Sequence, residues 1–279
     1  MALSSELIMA LLEAHPASSA RVLENSPPAE AAAILARARA EVSARVLESI
    51  TAQPASEILS SLAPAAAGAM VTLLPPSVAA TYLRRMGAEQ RDALLEAVAE
   101  SSARGLRGML EYPERSAGAL LDPEVLALPD DLTVREATER VRSAAHRARY
   151  NIYVTDRKDV LIGVLNLREL LLARPTQHIG EIMNRRLLTL RAMDDQTAVV
   201  THPGWQRVHS LPVIDARGTY LGAVRYATLR RLEAELAFER GVGAATVTAL
   251  GEVFWAGVSG MLDGVAGPRH GRARTAEDT

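Results

Sequence analysis

The sequence predicts a multidomain chain of α and α+β class: an N-terminal solenoid of short helices, a tandem of two α+β units and a C-terminal amphipathic helix. Three observations predict it. Apolar residues recur every 12 residues through the first half. That period stops after Glu111. A pattern of strand, helix, strand, strand and helix then occurs twice.

The solenoid comes first. Ile34, Val46, Ile58, Met70, Tyr82, Leu94 and Leu106 fall in one column of the repeat. Leu35, Leu47, Leu59, Val71, Leu83 and Leu95 fill the next, which only Arg107 interrupts. Ala38, Ile50, Leu62, Leu74, Met86, Val98 and Leu110 form a third, and Pro16, Pro28, Pro64 and Pro76 share a fourth. Within a unit the apolar spacing i, i+1, i+4 marks one helical face. A continuous helix would rotate that face by about a third of a turn per repeat, and interior proline would break it. Short helices of roughly eight or nine residues joined by tight turns are therefore expected. None is stable alone, so each must bury its face on neighbours.

The second half reads differently. Val125 to Leu128 is strand-like, and Thr133 with Glu136 forms a capping box for the helix that follows. "YNIYVTD" is a strand; Val160 to Leu165 is a second strand, running into a helix over Leu167 to Ala173. The pattern returns 59 residues on, with Pro212 to Asp215 matching Ile152 to Asp156 and Gly222 matching Gly163. "QTAVVTHPGWQRVHS" lies where the second unit needs a helix, and Pro203-Gly204 should break it.

Composition narrows the function classes. The chain has 279 residues, enough for about two domains, and is 48% hydrophobic. Its net charge of −2 gives no basic field for nucleic acid. The absence of cysteine removes disulfides, thiolate metal sites and cysteine nucleophiles, and no serine sits in a G-x-S-x-G elbow. No enzyme activity is expected. "MALSSELIMALLEAHP" has no positive n-region, the first basic residue being Arg21, so a secretory signal is not expected and the location is read as cytoplasmic.

Taken together, the two units resemble a tandem of cystathionine-β-synthase (CBS) domains. The preceding solenoid and "YPERSAGALLDPE" resemble the cytoplasmic part of the MgtE-type magnesium channels. Tyr112, Pro113, Glu114, Ser116, Ala117, Gly118, Leu120 and Pro123 match that family's linker, whereas Arg115 and Ala119 depart from it. The resemblance implies a helical superhelix domain over 1–112, a linker over 113–122, CBS units over 123–178 and 179–240 with the second degenerate, an amphipathic helix over 241–267 and a disordered tail over 268–279. It also implies a homodimer through the CBS pair. The family's channel spans of about 20 residues each have no room after the second unit, so a pore-less regulatory or interaction protein linked to magnesium homeostasis is expected.

Candidate sites follow from that family and from residue chemistry. No cofactor is certain. Mg2+ and an adenine nucleotide are the two candidates. Family members sense magnesium through carboxylates, and a hard cation prefers oxygen ligands. Asp92 and Glu96, with Glu100, read as i, i+4, i+8 on one face and form the candidate metal site; an exposed solvated face is the competing reading. Ala227 to Arg231 brings an arginine pair where the family has acids. For nucleotide, CBS units carry Gly, two apolar residues, Ser or Thr, two more residues, then Asp. The first unit reads Gly163 to Glu169, with Asn166 for the hydroxyl and Glu169 for the acid; a capped helix with a solvated glutamate is the alternative. The second reads Gly222 to Thr228 and has no acid. His202 and His209, seven apart across the break, form no zinc set, and Trp205 reads as structural.

The tail offers a possible docking helix. Its apolar run between Glu252 and Asp263 is shorter than the roughly 20 residues a span needs. Extension back to Gly241 would put Glu252 near mid-membrane at about 2.5 kcal/mol or more. Leu250, Phe254, Trp255, Val258 and Met261 instead suit the apolar face of an amphipathic docking helix. Packing on its own chain or dimer, on another protein, or on a membrane surface all remain open for it. The functions that follow are a regulatory module, an adenine-nucleotide sensor at the first CBS unit, a magnesium sensor, and a scaffold using the solenoid and the tail.

Overall fold

The structure is a computed structural model that describes residues 5–144 and 151–237. Those up to Leu229 pack as one compact unit, and those from Arg230 onward belong to a second. The expected tail helix, with Leu250, Phe254, Trp255, Val258 and Met261, lies outside the described residues.

Nine helices build the described part of the solenoid: α1 (Ser5–Ala14), α2 (Pro16–Glu24), α3 (Pro28–Leu35), α4 (Ala40–Leu47), α5 (Ala52–Ser60), α6 (Pro64–Leu73), α7 (Pro76–Arg85), α8 (Ala88–Glu96) and α9 (Glu100–Leu110). From α2 onward every helix starts 12 residues after the previous one. The proline column supplies the first residue of α2, α3, α6 and α7, where a missing N–H costs no helical bond. The lengths run from eight to eleven residues, slightly longer than the spacing suggested.

From α2 onward each helix packs on the one two places along, α4 on α6 and α5 on α7 for example, while α1 packs on α2 and α4. The structural repeat is thus a pair of sequence repeats. The Leu35, Leu47, Leu59, Val71, Leu83, Leu95 column is buried throughout. A column of small residues, Ala31, Ser43, Ala55, Ala67, Ala79 and Ala103, which only Arg91 interrupts, is buried equally deeply and lets the helix axes approach. The hydroxyl of buried Ser43 donates to the Leu35 carbonyl at 2.8 Å, so the one polar member is satisfied. Tyr82 is buried too, its hydroxyl 2.8 and 3.0 Å from the carbonyls of Leu47 and Ile50 at the end of α4.

A single turn, α10 (Ala117–Leu120), follows. The first α+β unit holds β1 (Ala127–Pro129), α11 (Val134–Ser143), β2 (Asn151–Thr155), β3 (Leu161–Asn166) and α12 (Leu167–Leu172). After the turn α13 (Ile179–Ile182), the second holds β4 (Leu190–Arg191), α14 (Gln196–Thr201), a 3-10 turn (Pro203–Gln206), β5 (Ser210–Ile214) and β6 (Tyr220–Arg225). Residues 226–237 are helical. Both sheets have one parallel and one antiparallel pairing, in orders β1-β2-β3 and β4-β5-β6. Their bulges fall at matching places, Val154/Thr155 and Val213/Ile214.

The capping box at Thr133 forms as the sequence requires: the Glu136 N–H donates to Thr133 Oγ1 at 3.3 Å and the Thr133 N–H to Glu136 Oε2 at 2.8 Å. The Thr133 hydroxyl and N–H hold the Glu136 carboxyl below its ordinary range. In the second unit the helix breaks as expected. After α14 the Gly204 N–H donates to His202 Nδ1 at 3.0 Å, and Trp205 Nε1 donates to the Val199 carbonyl at 2.6 Å. His202 and Trp205 therefore brace the break.

The two units join at their hairpin turns. The Leu161 N–H donates to the Gly218 carbonyl at 3.0 Å, and the Tyr220 N–H to the Asp159 carbonyl at 2.9 Å. Asp156 and Asp215 hold these turns identically, each accepting from backbone N–H groups two and four residues on. Tyr153 and Tyr220 stack at 5.2 Å across the junction. The Tyr153 hydroxyl reaches Ser210, 3.1 Å from its carbonyl and 2.9 Å from its Oγ, while the Tyr220 hydroxyl donates to the Val125 carbonyl at 3.2 Å.

Two predictions follow from this packing. Burial pushes the Tyr153 phenol from 10.0 up to about 12. The folded state keeps this proton after the unfolded chain has lost it, so the stabilisation is complete below pH 10 and lost as pH rises through 12. At 1.36 kcal/mol per unit the loss is about 2–3 kcal/mol. Urea unfolding between pH 9 and pH 12 should show it for the wild type and lose it in Tyr153→Phe. Gly222 has φ +148°, and a Cβ there would lie 2.5 Å from the Asp122 carbonyl oxygen. Gly222→Ala should cost about 1–3 kcal/mol, whereas Gly108→Ala, in open space on α9, should gain about 0.5–1 kcal/mol in the same urea assay.

Candidate functional site

The junction between solenoid and sheets is built from α7, α9 and residues 112–124. Arg84, in the last turn of α7, points at the end of α9. Its Nη2 donates to the carbonyls of Met109 at 2.6 Å and Tyr112 at 2.7 Å, and its Nη1 to Leu110 at 3.2 Å. Helix C-terminal carbonyls lack intrahelical donors and carry partial negative charge, so a cation is well placed there. Partial burial lowers the Arg84 pKa, with the Glu114 charge opposing the shift. Arg85 pairs with Glu114 at 2.9 Å.

Tyr112 lies flat over Gly118, where a side chain would collide with its ring. Burial raises the Tyr112 phenol, and the Asp215 and Glu111 charges add to the shift. Beyond Gly118, the N–H groups of Ala117 and Gly118 donate to the carbonyls of Asp194 and Ala192 at 2.8 and 2.9 Å. Asp122 exchanges backbone bonds with Ala223 of β6, at 2.8 and 3.1 Å. Its carboxylate lies 2.7 Å from Arg225 Nε, both side chains being largely buried. That N–H is not aimed along the contact and has no hydrogen-bond partner, so the pairing is chiefly coulombic. Ser102 of α9 donates to Glu124 Oε1 at 2.9 Å. The segment 113–122, expected as a linker, thus contributes a helical turn and a β-bridge.

The two sheets end in matching positions with different chemistry. Asn184 bridges Val164 of β3 as Asp122 bridges Ala223 of β6. Each accepts from the backbone N–H two residues on. Asn166 ends β3 where Arg225 ends β6. In the first unit Asn166 and Glu169 meet in a capping box: the Glu169 N–H donates to Asn166 Oδ1 at 2.8 Å, and the Asn166 N–H to Glu169 Oε2 at 3.0 Å. Both are exposed. In the second, the Arg225–Asp122 pair lies at the corresponding place.

The acidic row does not stay on one face. Asp92 and Glu96 share α8, but the turn at 97–99 intervenes and Glu100 opens α9. Asp92 sits 3.6 Å from Arg91, and Glu100 meets Arg104 at 3.4 Å and Arg107 at 4.0 Å. Among the described residues no group of three or more His, Asp or Glu side chains is placed to hold a metal ion. His209 packs edge-on to Tyr226 at 5.9 Å, as does Trp205 at 6.3 Å.

Arg84, Asp122 and Arg225 went unnoticed as site residues in the sequence. Their signals were present: two adjacent arginines end a repeat, and an arginine replaces the hydroxyl expected after β6. Neither signal names its partner.

Among the described residues no helix is long and apolar enough to cross a membrane. Residues 14–115 match the family model of the MgtE intracellular N domain, and residues 117–175 that of the CBS domain. The magnesium transporter MgtE of Thermus thermophilus is 37% identical over 121 residues, 43% of this chain and 27% of that protein. That of Enterococcus faecalis is 30% identical over the same share of each chain. The matched region therefore spans about a quarter of the length of these relatives. The crystal structure of the cytosolic domain of the Mg2+ channel MgtE in complex with ATP is similar at a TM-score of 0.69 and 27% identity, over 81% of this chain and 93% of that one. The soluble part of a magnesium transporter is similar in fold at a TM-score of 0.59 and 19% identity, over 84% and 98%. By sequence and by fold, this chain carries an MgtE intracellular N domain followed by a CBS domain, the arrangement of the cytosolic domain of MgtE.

Proposed function

We propose that the chain is a non-enzymatic regulatory module of magnesium homeostasis. The observation that supports this reading is the likeness to a magnesium-channel cytosolic domain over 81% of this chain. The solenoid offers a surface for protein contact, and the sheet pair offers clefts for small ligands. Removing the protein from its cell should shift total cellular magnesium when external magnesium is varied from limiting to excess, and the wild-type chain should restore it. Equal magnesium content with and without the protein at every external level would overturn the proposal.

A second reading has its own support. The similar cytosolic domain is an ATP complex, and the first unit keeps an uncharged amide and an acid, Asn166 and Glu169, at the end of β3. An adenine nucleotide in this cleft would have to open the capping box or use the Glu169 oxygen outside it, so the affinity should be weak. Calorimetric titration of the purified chain with ATP, ADP and AMP should give heat that Glu169→Ala reduces severalfold. No heat at millimolar nucleotide refutes this reading.

The homodimer belongs here too. Leu171 and Leu172 at the end of α12 are 74% and 76% exposed in the single chain, and burial against a second copy is the economical way to cover them. Sedimentation of the same sample at micromolar concentration should give a dimer, and a monomer would refute it.

A further inference from the structure

We propose that α12 links ligand binding to self-association: a nucleotide that takes the Glu169 carboxylate weakens pairing through Leu171 and Leu172, and pairing weakens the nucleotide to the same degree. The link rests on both the nucleotide and the dimer reading and adds the connection between them. The two sites share one helix of six residues, Leu167–Leu172. Its start is closed by the Asn166–Glu169 capping box. Its last two residues are the exposed leucines.

A helix this short has no stability of its own. Leu170 anchors it by burial in the core of the first unit, with Leu128, Ile152 and Leu165, and Leu167 packs partly buried against the same core. The capping box holds the start: Asn166 Oδ1 accepts the Glu169 N–H and Glu169 Oε2 accepts the Asn166 N–H, two donors that a helix start otherwise leaves open. The Glu169 backbone carbonyl holds the end, accepting the Ala173 N–H at 3.1 Å just beyond the leucine pair. Glu169 therefore closes both ends of α12, and Leu167 and Leu172 each lie within one turn of it. A ligand whose hydroxyls take the Glu169 carboxylate removes the acceptor of the Asn166 N–H. The first turn then loosens, and Leu171 and Leu172 lose the fixed presentation that a second copy requires. A second copy packed on the leucines fixes α12 and keeps the box closed against the ligand. Linkage makes the two effects equal in size, about fivefold for the loss of one helix cap.

Sedimentation of the full chain over a range of micromolar concentrations, with and without saturating ATP at matched ionic strength, tests this. ATP should raise the dimer dissociation constant about fivefold. Asn166→Ala, which removes the cap, should raise it by a similar factor with no nucleotide present. Thr133→Ala removes the matching box from α11 in the same unit and should leave the constant unchanged, which separates the α12 effect from a general loosening. Helical circular dichroism checks that each variant folds. If Asn166→Ala does not fold, the ATP series on the wild type decides alone. Calorimetry on the wild-type chain shows whether ATP binds at all. A silent titration, or a monomer at every concentration, overturns the link together with the reading beneath it. ATP heat and a wild-type dimer whose constant ATP leaves unchanged, or an equal weakening in Thr133→Ala, overturns the link alone and leaves both readings standing.

Discussion

Short helices cannot stand alone, and everything in the solenoid answers to that constraint. A helix of eight to eleven residues cannot offset its nucleation cost in water. From α2 onward each is held by burying one face on the helix two places along. Close approach requires small residues, supplied by the buried alanine and serine column. The same geometry leaves helix ends inside the structure, where carbonyls need donors. Tyr82 meets that need for α4 and Arg84 for α9. The arginine that closes the last repeat is therefore also the residue that holds the entry to the sheets.

The second half is built by pseudo-symmetry. The first three-stranded sheet has its own core, with Leu128, Ile152, Val154, Leu165 and Ile179 buried together, and a second cluster of Val125, Tyr153, Leu161 and Ala223 joins it to the other sheet. The two sheets meet at matched turns, with Tyr153 and Tyr220 crossing the junction in both directions. Segments ahead of each unit then cover the last strand of the other: Asp122 pairs with β6, and Asn184 with β3. This exchange seats the solenoid on the second unit although the first follows it in sequence.

The pseudo-symmetry is geometric and not chemical. One sheet ends in an amide and a glutamate that satisfy each other across the start of α12. Its counterpart holds a largely buried ion pair, which is costly to break because either partner alone would be an uncompensated charge.

Local sequence determined the short helices with proline in their first turn, the Thr133 capping box and the interrupted helix at Pro203, because each follows from local backbone sterics and side-chain reach. The 59-residue spacing likewise placed the strands of both sheets in equivalent positions. The acidic row Asp92, Glu96 and Glu100 misled, since even spacing in sequence continues across a turn that separates the residues in space. Asn166 and Glu169 were legible as a pair, but as residues that satisfy each other the structure gives them a local task. What only the tertiary structure decided was partnership at long range: Arg84 with the end of α9, and Asp122 with Arg225, more than a hundred residues away. Such contacts depend on which surfaces meet after the repeats have stacked and the sheets have exchanged segments, and no local pattern of apolar and polar residues encodes that meeting.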